Sequence, residues 1–146
     1  MNWLLLILWF IIGLILANGL RVWHIIESSK KKLKRSQNSD IGEKGFIKVA
    51  NYRYLPFMPI SYLAVWIACS FFYLNQINSE QIYVDALITG VVWWILVSIS
   101  EMLFWVIANH KFQLTWKEMY KDSQPWSAIS YYAVLISPLF IALIIK

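Results

Sequence analysis

The sequence predicts an all-α polytopic membrane protein: a four-transmembrane-helix bundle forming one integral membrane domain, with a short interfacial helix beside it. Three observations carry this. Four apolar stretches divide the chain, each long enough to cross roughly 30 Å of hydrocarbon as a helix. The composition is 60% hydrophobic, 17% aromatic and only 14% charged, where soluble domains carry about 25% charged residues, and the mean hydropathy is +0.56. The basic residues, finally, gather in two of the three connections. A chain of 146 residues holds little beyond four such spans, so a single domain is expected.

The first span covers about 3–22. A secretory signal peptide places positive charge before its apolar core, whereas here Arg21 follows it, so the stretch reads as an uncleaved anchor. A basic loop over 23–54 comes next. Its 27–40 portion, ESSKKKLKRSQNSD, carries Lys30, Lys31, Lys32, Lys34 and Arg35 among polar residues and reads as mobile and solvated. The second span covers about 55–74, opened by Pro56 and Pro59. The third, about 82–108, is roughly 40 Å long at helical rise and must tilt or project. The connection before it has Glu80 and no Lys or Arg.

In the third connection, Thr115-Trp116-Lys117-Glu118 fits the capping box, with Thr115 as N-cap and Glu118 reaching back to its amide. An amphipathic helix over about 115–123 is predicted, with Phe112, Trp116, Met119 and Tyr120 toward the apolar side. Gln124-Pro125-Trp126 stops it and opens the fourth span, about 126–145, with proline at a tolerated position. Ser137-Pro138 interrupts that span, freeing a carbonyl that a hydroxyl such as Ser137 satisfies. Gly13, Gly19 and Gly90 permit close helix approach but form no GxxxG pair.

Positive-inside bias places both basic connections in the cytoplasm and both termini outside. A bacterial plasma membrane suits the size and the Lys/Ile/Asn-rich style. Arg21, Lys30, Lys31, Lys32, Lys34, Arg35, Arg53, Lys111, Lys117 and Lys121 are then candidate contacts for anionic phospholipid headgroups, each adding about 1 kcal/mol of attraction near the surface. KKLKR without a stacking platform gives no case for a nucleic-acid partner. Of the nine tryptophans, Trp3, Trp23, Trp105, Trp116 and Trp126 fit interfacial belts, and Trp9, Trp66, Trp93 and Trp94 sit deeper as packing or lipid-facing residues.

Intramembrane ionisable residues are costly, which makes each one a candidate site. Asp85, in the first turn of the third span, reads as structural, stabilised by the helix dipole and interfacial water. Glu101 lies deeper and needs a partner. Helical stepping puts Trp94, Ser98, Glu101, Trp105 and Ala108 on one stripe. Matching depths across the bundle predicts a polar layer of Asn18, Ser61, Tyr62, Ser98, Glu101, Ser130 and Tyr131, with Arg21 or Arg53 snorkelling toward Glu101. A hydrogen-bonded lock is the favoured reading of this layer over proton, cation or acid–base chemistry.

His24 and His110, even with Glu101, make a meagre metal site. Cys69, the single cysteine, forms no intramolecular disulfide. No HExxH, Gly-rich phosphate loop or GxSxG elbow is present, so neither metal nor cofactor is expected. Three function classes follow. The favoured one is an accessory, regulatory or immunity-type protein that binds another membrane component. A homo-oligomeric transporter or channel using Glu101 as coupling group is the second. The third is a lipid-modifying enzyme at the inner leaflet, built from Glu101, His110 and basic side chains gripping a phosphate.

Overall fold

The computed structural model describes residues 1–35, 43–77 and 79–145, with the side chains of 31–35 and of 43–44 outside the description. Its elements run α1 (Trp3–Arg35), α2 (Glu43–Tyr54), a 3-10 turn (Leu55–Phe57), α3 (Met58–Ile77), α4 (Ile82–Glu101), a π-helical segment (Met102–Ile107), α5 (Trp116–Tyr120) and α6 (Trp126–Ile145). Among the described residues there is no strand. Four stretches, Trp3–Lys30, Gly45–Ile77, Ile82–Ile107 and Trp126–Ile145, are long and apolar enough to cross a membrane. The all-α four-helix bundle of the sequence reading stands, and by length and composition the chain is an integral membrane protein.

The first connection departs from expectation. Instead of unravelling after residue 22, α1 continues through the basic run to Arg35, because Lys, Arg and Glu are good helix formers and Ile25 is anchored by packing. Ile25 is buried with Ile47 and Ala50 of α2, and the Ser29 hydroxyl returns to the Ile25 carbonyl at 2.6 Å. The expected mobile loop is therefore helical through Arg35, and its 36–40 portion lies outside the described residues. The sequence reading also missed α2. Its buried positions Ile47, Ala50 and Tyr54 recur at helical spacing and turn one face toward α1.

Packing explains the order of helices across the bundle. The buried line of α1 is Leu6, Phe10, Gly13, Ala17, Arg21, Ile25, a three-to-four spacing that keeps one stripe facing inward. On α3 the stripe is Met58, Tyr62, Trp66, Cys69, Tyr73. The buried side of α6 is made mostly of small residues, Ser127, Ser130, Ala133, Ser137 and Ala142, which lets this helix lie close along both α3 and α4. Trp66 and Trp93, with ring centroids 5.2 Å apart, fill the space between α3 and α4. Both are completely buried, as is Trp105. Trp105 is accordingly a core residue and no member of an interfacial belt, while Trp3, Trp23, Trp94, Trp116 and Trp126 are exposed.

At Pro138 the Ser137 hydroxyl bonds the Ala133 carbonyl at 2.5 Å, one residue before the Val134 carbonyl that the proline leaves without its helical donor. The third span is not a single α-helix. After Glu101 the hydrogen bonding widens into a π-helical segment, closed by the Ala108 amide on the Leu103 carbonyl at 2.8 Å. The interfacial helix is shorter than the expected 115–123, ending at Tyr120, yet it starts where the capping box put it. The Glu118 amide donates to Thr115 Oγ1 at 3.2 Å and the Thr115 amide donates to Glu118 Oε2 at 2.8 Å. The Glu118 carboxylate also pairs with Lys48 of α2 at 2.7 Å, which fastens α5 to α2.

Burial works to raise the Glu118 pKa, but the Lys48 ammonium and the Thr115 donors outweigh it and hold the carboxyl below its ordinary value. A carboxyl depressed in the fold contributes stability above its unfolded pKa and loses it as pH falls through the folded value. Protection of the 116–120 amides, relative to their intrinsic exchange rates, is therefore expected to fall once the pH drops below about 4.3. Thr115→Ala should produce the same loosening at neutral pH, at a cost of about 1 kcal/mol. Unchanged exchange in both cases would show that apolar packing alone holds α5.

Candidate functional site

The intramembrane site is assembled where α1, α3, α4 and α6 come together at the basic end of the bundle. Glu101 occupies the last position of α4 and has 0% exposure. The Tyr62 hydroxyl of α3 donates a short hydrogen bond to its Oε1, and the Tyr131 hydroxyl of α6 donates to its Oε2 at 2.9 Å. Both carboxylate oxygens are thus held, each by a different helix. Hydrogen bonds to charged groups are worth about 1.5–3 kcal/mol. The geometry therefore ties three helices to one register.

Arg21 forms the second half of the site. Its residue exposure is 1%. The guanidinium donates from Nε and Nη2 to Asn51 Oδ1 at 3.1 and 3.0 Å and lies over the Trp105 ring, 4.1 Å from the centroid. A planar, weakly hydrated guanidinium suits such a face better than a lysine ammonium. The Trp105 indole in turn donates to Asn18 Oδ1 at 2.8 Å, and Asn18 donates to the Leu14 carbonyl at 3.1 Å. Arg21 and Glu101 thus bring side chains of opposite formal charge to the same end of the bundle. One donor atom, Arg21 Nη1, is buried without a hydrogen-bond partner.

Of the seven residues expected in the polar layer, Tyr62 and Tyr131 touch Glu101 and Asn18 joins through Trp105. Ser61 is adjacent rather than central: its hydroxyl shares a 2.5 Å hydrogen bond with Tyr54 and reaches the Met58 carbonyl at 3.0 Å. Two serines bond back along their own helices, Ser130 to the Trp126 carbonyl and Ser98 to the Trp94 carbonyl, both at 2.8 Å. Ser98 therefore stands apart from the layer. The buried line through Glu101 runs over Trp93 and Val97 and not over Trp94 and Ser98, since positions three and four residues away flank the same face and period alone does not choose between them.

The basic residues divide by exposure. Arg21 is sealed in the core, which removes it from the set facing headgroups. Arg53, Lys30, Lys111, Lys117 and Lys121 are exposed, while the side chains of Lys31, Lys32, Lys34 and Arg35 lie outside the described residues. Asn51 and Tyr54 of α2 were not anticipated as site residues. The signal for them was the helical recurrence of Ile47, Ala50, Asn51 and Tyr54, which places an amide beside the apolar stripe.

The surroundings of the site are more open. One cavity of about 340 Å³ is lined by Lys48, Gln113, Thr115, Trp116 and Glu118, among others, and a smaller one of about 140 Å³ by Ile47, Lys48, His110, Lys111, Gln113 and Leu114. Neither is lined by Glu101. His110 is fixed by its own loop, with Nε2 paired to the Phe104 carbonyl at 2.7 Å and Nδ1 accepting from the Phe112 amide at 3.1 Å. His24 packs against Tyr54, centroids 5.2 Å apart. Among the described residues no group of three His, Cys, Asp or Glu side chains is placed to hold a metal ion. Burial, with the Glu101 carboxylate adding to it, pushes the Tyr120 hydroxyl of α5 above its ordinary pKa, so the field of the site reaches the interfacial helix. Comparison with family models, with curated proteins and with solved structures finds no match to this chain.

Proposed function

We propose that this protein is a membrane-embedded accessory, regulatory or immunity-type protein that acts by binding another membrane component. The observation that carries this reading is the enclosure of Glu101, which has no exposed surface and has both oxygens engaged by tyrosine hydroxyls. A carboxylate that loads a substrate or relays a proton needs an open approach. Glu101 is instead a tie between helices, and binding is carried by the surface around the basic end. Size and the Lys/Ile/Asn-rich composition suit a bacterial plasma membrane, and the charge distribution favours both termini outside with the basic connections in the cytoplasm. There Lys30, Arg53, Lys111, Lys117 and Lys121 lie against anionic headgroups.

Purifying the tagged chain from its native membrane in mild detergent tests this. A stoichiometric second membrane protein is the expected result. A pure homo-oligomer without one would move the case to the second reading, a transporter or channel coupled through Glu101. That reading is favoured by one feature, the π-helical segment directly after the carboxylate, since such segments recur at functional sites. It requires pH-dependent flux in liposomes that disappears in Glu101→Gln.

A further inference from the structure

The two cavities at the basic end adjoin, since Lys48, Gln113 and Leu114 line both. Together they form one cleft between α2 and the 106–118 segment, and the larger part alone, about 340 Å³, falls within the roughly 300–1,000 Å³ of small-ligand sites. Its apolar walls, Ile47, Val106 and Leu114, are buried. Trp116, which also lines it, is exposed and stacks on Tyr120 with ring centroids 5.3 Å apart. Of the stretches long and apolar enough to cross a membrane, Gly45–Ile77 begins beside the cleft and Ile82–Ile107 ends there. Those bounds set it at the depth where hydrocarbon gives way to headgroups.

The polar lining is rich in donors. Lys48 pairs with Glu118 at 2.7 Å, which uses one of the three hydrogens of its ammonium. Gln113 donates one amide hydrogen to the Val106 carbonyl at 2.8 Å and keeps a second. Lys111, with its Nζ 5.1 Å from the Phe112 ring centroid, adds another positive charge. The Glu118 carboxylate is already engaged by Lys48 and by the Thr115 amide and hydroxyl. Both ring nitrogens of His110 are held within its own loop. Two ammonium groups and one carboxylate leave the cleft with positive charge in excess.

We propose that this cleft is a binding site for a phosphate ester, held by Lys48, Lys111 and Gln113. Ammonium and amide donors suit phosphate oxygens, and an interfacial indole beside apolar walls suits the glycerol end of an anionic phospholipid. A soluble phosphate ester shares the same chemistry. The site rests on the reading of the chain as a membrane protein that binds a membrane component, and it narrows headgroup contact to one cleft that includes Lys48, a residue outside the predicted set.

The purified full chain in mild detergent, with no other protein present, is titrated with dioctanoyl phosphatidylglycerol, with glycerol phosphate, and with dioctanoylglycerol as the phosphate-free control. Native mass spectrometry follows bound ligand and a melting curve follows Tm. One saturable phosphatidylglycerol per chain and a higher Tm are expected, with dioctanoylglycerol giving neither. Lys111→Gln should weaken binding about fivefold, and Lys121→Gln, which removes an equal charge outside the cleft, should weaken it less. Lys48→Gln and Glu118→Gln both unfasten α5 from α2, but only the first removes a phosphate donor. Lys48→Gln should therefore weaken binding, whereas Glu118→Gln, which frees the Lys48 ammonium, should hold or tighten it. A response to glycerol phosphate alone identifies a soluble ester as ligand, and one that includes phosphatidylglycerol identifies a lipid. No response to either, equal retention of dioctanoylglycerol, equal losses in Lys111→Gln and Lys121→Gln, or parallel losses in Lys48→Gln and Glu118→Gln overturns the proposal. Because no second protein is present, failure here leaves the capture of a protein partner from native membranes as a separate result.

Discussion

Glu101→Leu is expected to destabilise the bundle by about 3–5 kcal/mol, the range for leaving an opposite charge buried and uncompensated. The loss has two sources. The Tyr62 and Tyr131 hydroxyls become buried donors without an acceptor, and Arg21, 1% exposed, keeps its charge in the core with nothing to offset it. Glu101→Gln retains one acceptor and the shape of the side chain, so a smaller loss, on the order of 1–3 kcal/mol, is expected. Tyr131→Phe should fall in the same range. The diagnostic variant is the double change Arg21→Met with Glu101→Leu. Because replacing both buried groups of opposite charge by apolar side chains leaves neither charge uncompensated, it should recover much of what Glu101→Leu loses. Reversible unfolding in mixed micelles, followed by tryptophan emission, measures all four. If Glu101→Gln changed neither stability nor partner capture, the lock and every functional role for this residue would fail together.

How much of this arrangement was legible in the sequence depends on which interaction places each residue. Glu101, Tyr62 and Tyr131 were found from hydropathy and depth alone, because antiparallel topology converts sequence position into height in the bilayer. Azimuth was less legible. Ser98 and Val97 flank the direction of Glu101, and the choice between them is made by the fit of α4 against α6, which periodicity does not contain. Arg21 was offered two roles, a headgroup contact and a side chain reaching toward Glu101, and its burial rules out the first. A basic residue just past an apolar run suggests a headgroup contact, but Leu6, Phe10, Gly13, Ala17, Arg21 and Ile25 form one stripe in the sequence, and Arg21 follows its stripe into the core. What receives it there, Asn51 and the face of Trp105, depends on α2 folding back onto α1. Trp105, four positions beyond Glu101, shares the stripe that helical stepping gave the two residues, whereas the π-helical widening of 102–107 had no sequence signature.

The close approach of α4 to α6 at Gly90 yields the other large effect. A Cβ placed on Gly90 would lie 2.3 Å from the carbonyl oxygen of Leu135, a backbone atom of α6, so the strain has no side chain to absorb it. Gly90→Ala must push α4 and α6 apart. Overpacking typically costs about 1–3 kcal/mol, and Gly90→Val should exceed that and lower the yield of folded protein. Two glycines on α1 calibrate the measurement. A Cβ at Gly13 would meet the Trp66 ring edge at 2.9 Å, a side chain held on all sides, so Gly13→Ala should cost less than Gly90→Ala but remain measurable. Around Gly19 nothing lies within 4 Å, and Gly19→Ala should be neutral or slightly stabilising, by up to about 1 kcal/mol, through helix propensity. Separating α4 from α6 also draws Glu101 away from Tyr131, whose hydroxyl bridges the same two helices at 2.9 Å. Gly90→Ala and Tyr131→Phe should therefore combine to less than the sum of their separate costs. Strict additivity would mean that the helix contact and the polar tie are independent, and that α6 is held at Glu101 by something other than its fit against Gly90.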